Sequence, residues 1–200
     1  MKKKSLLTML LALTLVAVVG VGATLAYLSD STGAMVNTFT VGSGIDITQD
    51  ESDESTPEDP TDRTEEGNDY TDIQPGDVLV KDPTVTIKAN SSECYVFMQL
   101  TGADALAAQN FTFDGFDAEK WVKVAGEGTL DGVYMYFETV KQADADQVLA
   151  PLFTSVTYSI DAEELAEGVE LSDVVIKSCA VQAKNMDEAS ALEAAIETIK

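Results

Sequence analysis

The residues able to do chemistry are unevenly spread along these 200 residues, and one type is missing: there is no histidine. Nucleophilic arrangements that need imidazole as the base are therefore excluded, as is the His-Glu-x-x-His zinc site. Carboxylates are abundant, with 35 Asp and Glu against 12 Lys and Arg. They concentrate between Gln49 and Thr71, where Asp50, Glu51, Asp53, Glu54, Glu58, Asp59, Asp62, Glu65, Glu66 and Asp69 alternate with Ser, Thr, Pro57 and Pro60. Dense oxygen ligands suit a hard cation, so weak calcium binding is one reading of the segment. Its spacing fits no Asp-x-Asp-x-Asp-Gly loop, however, and the scarcity of apolar residues favours a solvated, disordered acidic insertion over about 49–71. No catalytic residue, metal ligand set or cofactor is expected from these patterns.

Two further groups carry chemistry of their own. Cys94 and Cys179 admit two readings: one disulfide closing a long loop, which would contribute ~4 kcal/mol in the chain-entropy picture, or two buried thiols. Cys94 shares a face with Val96, Met98 and Leu100, whereas Cys179 shares one with Lys177 as well as Val175 and Val181, so their facing does not decide between the two. Trp121, Tyr134 and Tyr136 could line a sugar-binding surface, but the simpler expectation is that they fill a core.

The elements that must position these residues read mostly as strands. Met35–Val41 is rich in Thr, Val and Phe, and Ile45 and Ile47 alternate with polar neighbours after the Gly42-Ser43-Gly44 break. Gln74-Pro75-Gly76-Asp77 has the chemistry of a type II turn, with proline at the first central position and glycine at the second. Val85, Ile87 and Ala89 alternate with polar residues in a half-buried strand, and Cys94 to Thr101 is apolar on both faces. Ala103 to Gln109 suits a helical turn. Trp121 to Val124 and Val133 to Val140 are strands about an Asp131-Gly132 hairpin signal. Leu152 to Ile160 and Val174 to Ala183 complete the strand set, with Leu152, Val156, Tyr158 and Ile160 on one face. Asp161 to Gly168 suits a short helix. A terminal helix starts at Asn185, with Glu188 as capping-box partner and a stripe of Ala189, Leu192, Ile196 and Ile199 that should bury against one end of the sandwich.

The beginning of the chain is an export signal by pattern. Lys2, Lys3 and Lys4 precede an apolar run from Leu6 to Val19, and Thr24 and Ala26 supply small residues before a cut expected between Ala26 and Tyr27. Residues 1–26 would then be a cleaved signal peptide and 27–200 a single domain, long enough for one sizeable core. If uncut, the run is short for a ~20-residue membrane span, and no second apolar span or Leu-Pro-x-Thr-Gly ending follows, so no stable membrane insertion is expected after cleavage. The net charge of −23 argues against nucleic acid and against an anionic membrane surface.

Several of these strings resemble the TasA/camelysin family of exported proteins: Ala23-Thr24-Leu25-Ala26-Tyr27-Leu28-Ser29-Asp30, Asn37-Thr38-Phe39-Thr40-Val41-Gly42, Tyr134-Met135-Tyr136, Pro151 to Val156, and Ala180 to Ala183. The likeness covers most of the chain apart from the acidic insertion. It implies an all-β, jelly-roll-like antiparallel β-sandwich with short peripheral helices and a C-terminal helix, and a signal peptide read by a dedicated signal peptidase. It also implies a secreted subunit of an extracellular or biofilm matrix fibre, with a homo-polymer and an anchoring or accessory matrix protein as partners. Tyr27 to Thr40 would then be the segment donated between subunits, with Tyr27, Leu28, Met35, Val36, Phe39 and Val41 as its contacts. The metallo-endopeptidase label carried by part of that family lacks its expected residues here. A monomeric cell-surface or secreted binding protein is the other expectation.

Overall fold

The computed structural model describes residues 44–55, 61–162 and 171–199. Of the two units into which the chain divides, Met1–Val41 lies outside the described residues, and the second, Gly42–Lys200, contains everything that follows. The signal peptide, the cut at Ala26 and Tyr27, the strand expected over Met35–Val41 and the helix expected over most of Asp161–Gly168 all fall outside them.

The described residues form an all-β sandwich of three antiparallel sheets with short helices and a C-terminal helix. The first sheet runs β2 (Arg63–Thr64), β1 (Ile47–Ser52), β4 (Thr84–Ile87), β9 (Gln147–Val148). The second runs β3 (Val78–Val80), β10 (Ser155–Tyr158), β6 (Phe111–Asp114), and the third β11 (Val175–Gln182), β5 (Cys94–Thr101), β8 (Gly132–Tyr136), β7 (Trp121–Ala125). One core joins all three sheets. Val85 and Ile87 of β4, Val96, Met98 and Leu100 of β5, Phe111 of β6 and Val156 and Tyr158 of β10 meet in it with little or no exposure. Burying these side chains is the main drive for closing the sandwich, at ~1.5–3 kcal/mol for each large apolar group.

The third sheet is apolar on both faces because it is covered on both. Its inner face joins the main core, and its outer face meets helix α2 (Glu188–Ile199) through Phe97, Val133, Met135, Cys179, Ala191, Ala195 and Ile199. The terminal helix therefore lies across a sheet face, and the expectation that it closes one end of the sandwich is corrected. Its cap differs too: Asp187 Oδ1 accepts from the Ser190 amide at 2.9 Å, and Asn185 instead takes a left-handed turn conformation at φ 62°. Small Ala191 and Ala195 let the helix approach the strands, so the buried stripe shifts from the one set by Ala189, which is exposed.

Where the chemistry was local, the expected elements form. Asp77 N donates to Gln74 O at 3.0 Å across the Pro75-Gly76 turn, with Gly76 at φ 98°. The β5 strand has the expected bounds, and α1 (Ala103–Ala107) follows it. Three expectations need correction. β4 is buried on both sides, Thr84 and Thr86 included, because β1 and β9 flank it and Thr84 Oγ1 donates to Asp82 O at 2.8 Å. β8 stops at Tyr136, leaving Val140 as an isolated bridge to Cys94. Ile160 leaves the face of Leu152, Val156 and Tyr158 and is 73% exposed, because β10 ends before it.

The largest departure concerns the acidic stretch. Residues 49–52 belong to β1, paired Gln49↔Val85 and Asp50↔Thr84, and Glu51 and Ser52 pair with Thr64 and Arg63 of β2. A solvated loop over all of 49–71 is thus corrected for its described residues. Few apolar residues are needed to make strands here, because the backbone ladder satisfies the main chain and specific cations answer the carboxylates.

Candidate binding cleft

Glu51 is the unusual residue of that stretch, a carboxylate only 6% exposed. Burying a charge is unfavourable unless it is paired and hydrogen-bonded. Lys81 Nζ lies 2.8 Å from its Oε2 and 3.2 Å from its Oε1, and Asn68 Nδ2 donates to Oε1 at 3.1 Å. Asn68 also donates to Ser52 O at 2.8 Å and accepts from the Glu54 amide at 2.8 Å, so one amide side chain ties three points together.

Beside this pair, Arg63 joins two further carboxylates. Its Nε pairs with Asp50, its Nη1 lies 2.9 Å from Asp82 Oδ2, and its Nη2 donates to the Asp82 carbonyl at 3.2 Å. Burial works against the guanidinium charge, but the hydrogen bonds and charges of Asp50 and Asp82 outweigh it and raise its pKa. Asp82 is held in turn by the Ser52 amide at 2.7 Å and the Ser52 hydroxyl at 3.1 Å. Tyr70 closes the group by donating its hydroxyl to Val80 O. Its phenol is pushed well above its ordinary pKa, first by burial and then by the nearby Glu51 and Glu54 charges.

Of these residues Asn68, Tyr70 and Lys81 line a cleft of about 570 Å³. One wall is Glu66 to Tyr70, the opposite wall is Leu171 to Val175, and the interior presents Ile73, Leu79, Leu106, Phe111 and Val156. Phe111 and Val156 belong to the main core, so the cleft reaches the space between the second and third sheets. Its volume lies in the ~300–1,000 Å³ range of ligand sites, and its lining mixes those apolar residues with the polar and charged Glu66, Asn68, Asp69, Lys81 and Asp173. A smaller recess of about 140 Å³ adjoins it, sharing Glu66, Gly67 and Lys81 and bounded by Glu51 and Ile176.

The cleft sits at the Thr101–Val175 end of the third sheet, where those two residues pair. The described chain begins at the other end. Ser92 N donates to Gly44 O at 3.1 Å, and Ser91 Oγ both accepts from Asp46 N and donates to Asp46 O at 3.1 Å, just before Cys94. The eight residues of β5 separate the two ends by roughly 23 Å at ~3.3 Å per residue.

The remaining site expectations resolve as follows. Cys94 and Cys179 are free and buried, so the disulfide is corrected. The register explains it: Cys94 pairs with Gln182 and Cys179 with Phe97, which places the two cysteines three positions apart along the ladder and on opposite faces. Cys94 belongs to the main core and Cys179 to the layer under α2, so no rotamer can join them across the sheet. Trp121 is 3% exposed, its Nε1 donating to Ala150 O at 2.9 Å, and Tyr134 donates to Leu130 O at 2.6 Å. With Tyr136 packed edge-on to Trp121 at 5.1 Å, the three aromatics serve packing. Among the described residues no group of three or more Asp, Glu or Cys side chains is arranged to hold a metal ion. Tyr27, Leu28, Met35, Val36, Phe39 and Val41 lie outside the described residues.

Arg63, Asn68, Lys81 and Tyr70 were not among the expected site residues. One signal could have found the first: Arg63 is the sole arginine of the chain and stands within its most acidic stretch, where a fixed cation has many partners to choose from. Comparison of the chain with family models, with curated proteins and with solved structures finds no match in any of the three.

Proposed function

We propose that the mature chain is a secreted structural subunit of an extracellular or biofilm matrix fibre, joined by an N-terminal strand passed from one copy to the next. The observation that carries this reading is the separation of the two ends. Gly44, the first described residue after the donor segment Tyr27 to Thr40 in the sequence, lies at the Cys94 end, and the cleft lies at the Val175 end. A segment passed from the chain start of one copy to the cleft of the next makes a head-to-tail contact, and such contacts propagate into open chains when the rotation does not close. An extended donor would place alternate side chains on one side, Met35, Phe39 and Val41 on one face and Leu28 and Val36 on the other, as apolar anchors for Ile73, Leu79 and Leu106 of the cleft. The resemblance of the N-terminal strings to fibre-forming exported proteins supports the same assignment. Removal of residues 1–26 would act as the switch that frees the donor.

The test compares chains beginning at Tyr27 with chains beginning at Gly42 by sedimentation and electron microscopy, across salt and pH. Filaments from the longer chain alone are expected, strengthened where the net negative charge is screened or neutralised. Equal monomer populations of both chains under every condition would defeat strand donation.

A second reading rests on the cleft volume, which would also hold a small apolar ligand. A monomeric binding protein would then show cleft-dependent uptake of an apolar dye by the chain beginning at Gly42, without filaments from either chain.

A further inference from the structure

The acidic stretch, for all its charge, is fastened to the sandwich at a few identifiable points, and it walls the cleft. Its described portion Thr61 to Tyr70 carries one apolar-bodied side chain, Tyr70, and no aliphatic residue larger than the threonine methyls. Polar contacts that hold it include the pairing of β2 with β1, the Asp53 amide on Asp62 O, the Arg63 bridge to Asp50 and Asp82, the Asn68 side chain on Glu51, Ser52 and the Glu54 amide, and the Tyr70 hydroxyl on Val80. A segment held by partly exposed polar contacts and little apolar burial opens at lower free energy than the core strands beside it. Arg63 is 31% exposed at its side chain, whereas the cleft floor residues Phe111 and Val156 are 2% exposed.

From this contrast we infer that Thr61 to Tyr70 is a detachable wall of the cleft, latched by Arg63, which must swing away for the N-terminal segment of a second copy to enter. The inference rests on the strand-donation reading and adds to it a gate. In the latched state Glu66 to Tyr70 form one wall of the cleft. An entering strand needs backbone room as well, about 4.7–4.9 Å from any strand it pairs with. Releasing the wall supplies that room without unfolding β10 or β6, whose contacts lie in the main core. The latch also meets a requirement of a polymerising subunit, since an open apolar groove on every free copy would invite unspecific association.

The experiment uses the full mature chain and two charge-matched variants. Arg63→Gln removes both bridges of the latch. Lys88→Gln removes one positive charge from the exposed Lys88–Asp146 pair, which does not touch the cleft. Hydrogen–deuterium exchange reads opening of the wall, and the lag before filament growth at fixed salt reads entry of the donor. Arg63→Gln should raise exchange over residues 62–70 by tenfold or more while β5 and β11 keep their protection, and should shorten the lag severalfold relative to Lys88→Gln. Exchange unchanged over 62–70, or raised equally in β5 and β11, overturns the latch. Faster exchange with a lag equal to that of Lys88→Gln overturns the gate while strand donation stands. If no chain forms filaments, including the unaltered one, strand donation fails and the gate with it.

Discussion

Asp104 and Asp131 cap each other's backbone. The Asp131 carboxylate accepts from the amides of Gly102, Ala103 and Asp104 at 3.0, 2.7 and 3.2 Å, and the Asp104 carboxylate accepts from those of Leu130 and Asp131 at 2.9 and 3.0 Å. The exchange fastens the β7–β8 connection to α1; the chain reverses through residues 126–131 and Gly132 opens β8, so the tight Asp131-Gly132 hairpin turn is corrected to a longer loop. The exchange also supplies acceptors for the first amides of a helix too short to stabilise itself.

Acid should loosen this clasp. Backbone donation, from Leu130 above all, lowers the pKa of Asp104 below its ordinary value. A carboxyl whose folded pKa is depressed contributes stability above its unfolded pKa of ~3.9 and loses it as pH falls through the lowered folded value. The expected outcome is that Asp104→Asn lowers the urea midpoint at pH 7, and that the gap to the unaltered chain narrows as the pH is taken below about 4. Urea titrations at stepped pH check it; a gap that widens in acid contradicts the assignment.

The Glu51–Lys81 pair should respond asymmetrically to mutation. With side-chain exposures of 7% and 12%, the pair is largely removed from water. Lys81→Met leaves the buried carboxylate to Asn68 alone and should cost about 3–5 kcal/mol, whereas replacing both residues by apolar ones of similar volume should cost much less than the sum of the single changes. A double-mutant cycle in urea measures the coupling, and additive effects would show that the two charges do not depend on each other.

Gly102 should not tolerate a side chain. Its φ of 85° is a left-handed conformation, and a Cβ there would overlap the carbonyl oxygen of Asp173 on the cleft wall. Gly102→Ala is expected to lower stability by at least about 1–3 kcal/mol from backbone strain, with the Leu171–Val175 wall displaced in addition. Thermal unfolding, with exchange over residues 171–175, would detect both effects.

The two cysteines should behave as unreactive buried thiols. Burial pushes each thiol up to about 11, with the Glu93 charge adding to the effect at Cys94, so little thiolate exists at neutral pH. Iodoacetamide should modify neither residue in the folded chain and both in urea, with no mass change on reduction. A two-proton mass gain on reduction of the purified protein would mean that the Cys94–Gln182 and Cys179–Phe97 register is wrong.

Much of the architecture was legible in the chain. The alternation at Val85 and Ile87, the two-faced apolar run from Cys94 to Leu100, the Pro75-Gly76 turn and the terminal apolar stripe are local patterns, and local patterns state which element forms; which faces are covered, as at Thr84, Thr86, Ala191 and Ala195, was set by the packing. Export is proposed from the order Lys2-Lys3-Lys4, apolar run, Thr24 and Ala26, and strand donation from the resemblance of the strings that follow it. Tertiary structure alone decided what long-range partners permit. Glu51 could enter a strand because Lys81, thirty residues away, meets its charge, and no local reading of an acidic run contains that cation. Cys94 and Cys179 were kept apart by a register that only the pairing of β5 with β11 sets, where a single-residue slip exchanges faces. The cleft, likewise, is made of walls distant in sequence, Glu66 to Tyr70 and Leu171 to Val175, brought together by closure of the sandwich. Composition and periodicity govern which element forms, a property of each residue and its near neighbours; compensation of a buried charge and the shape of a cleft are properties of pairs, and pairs are chosen by the fold.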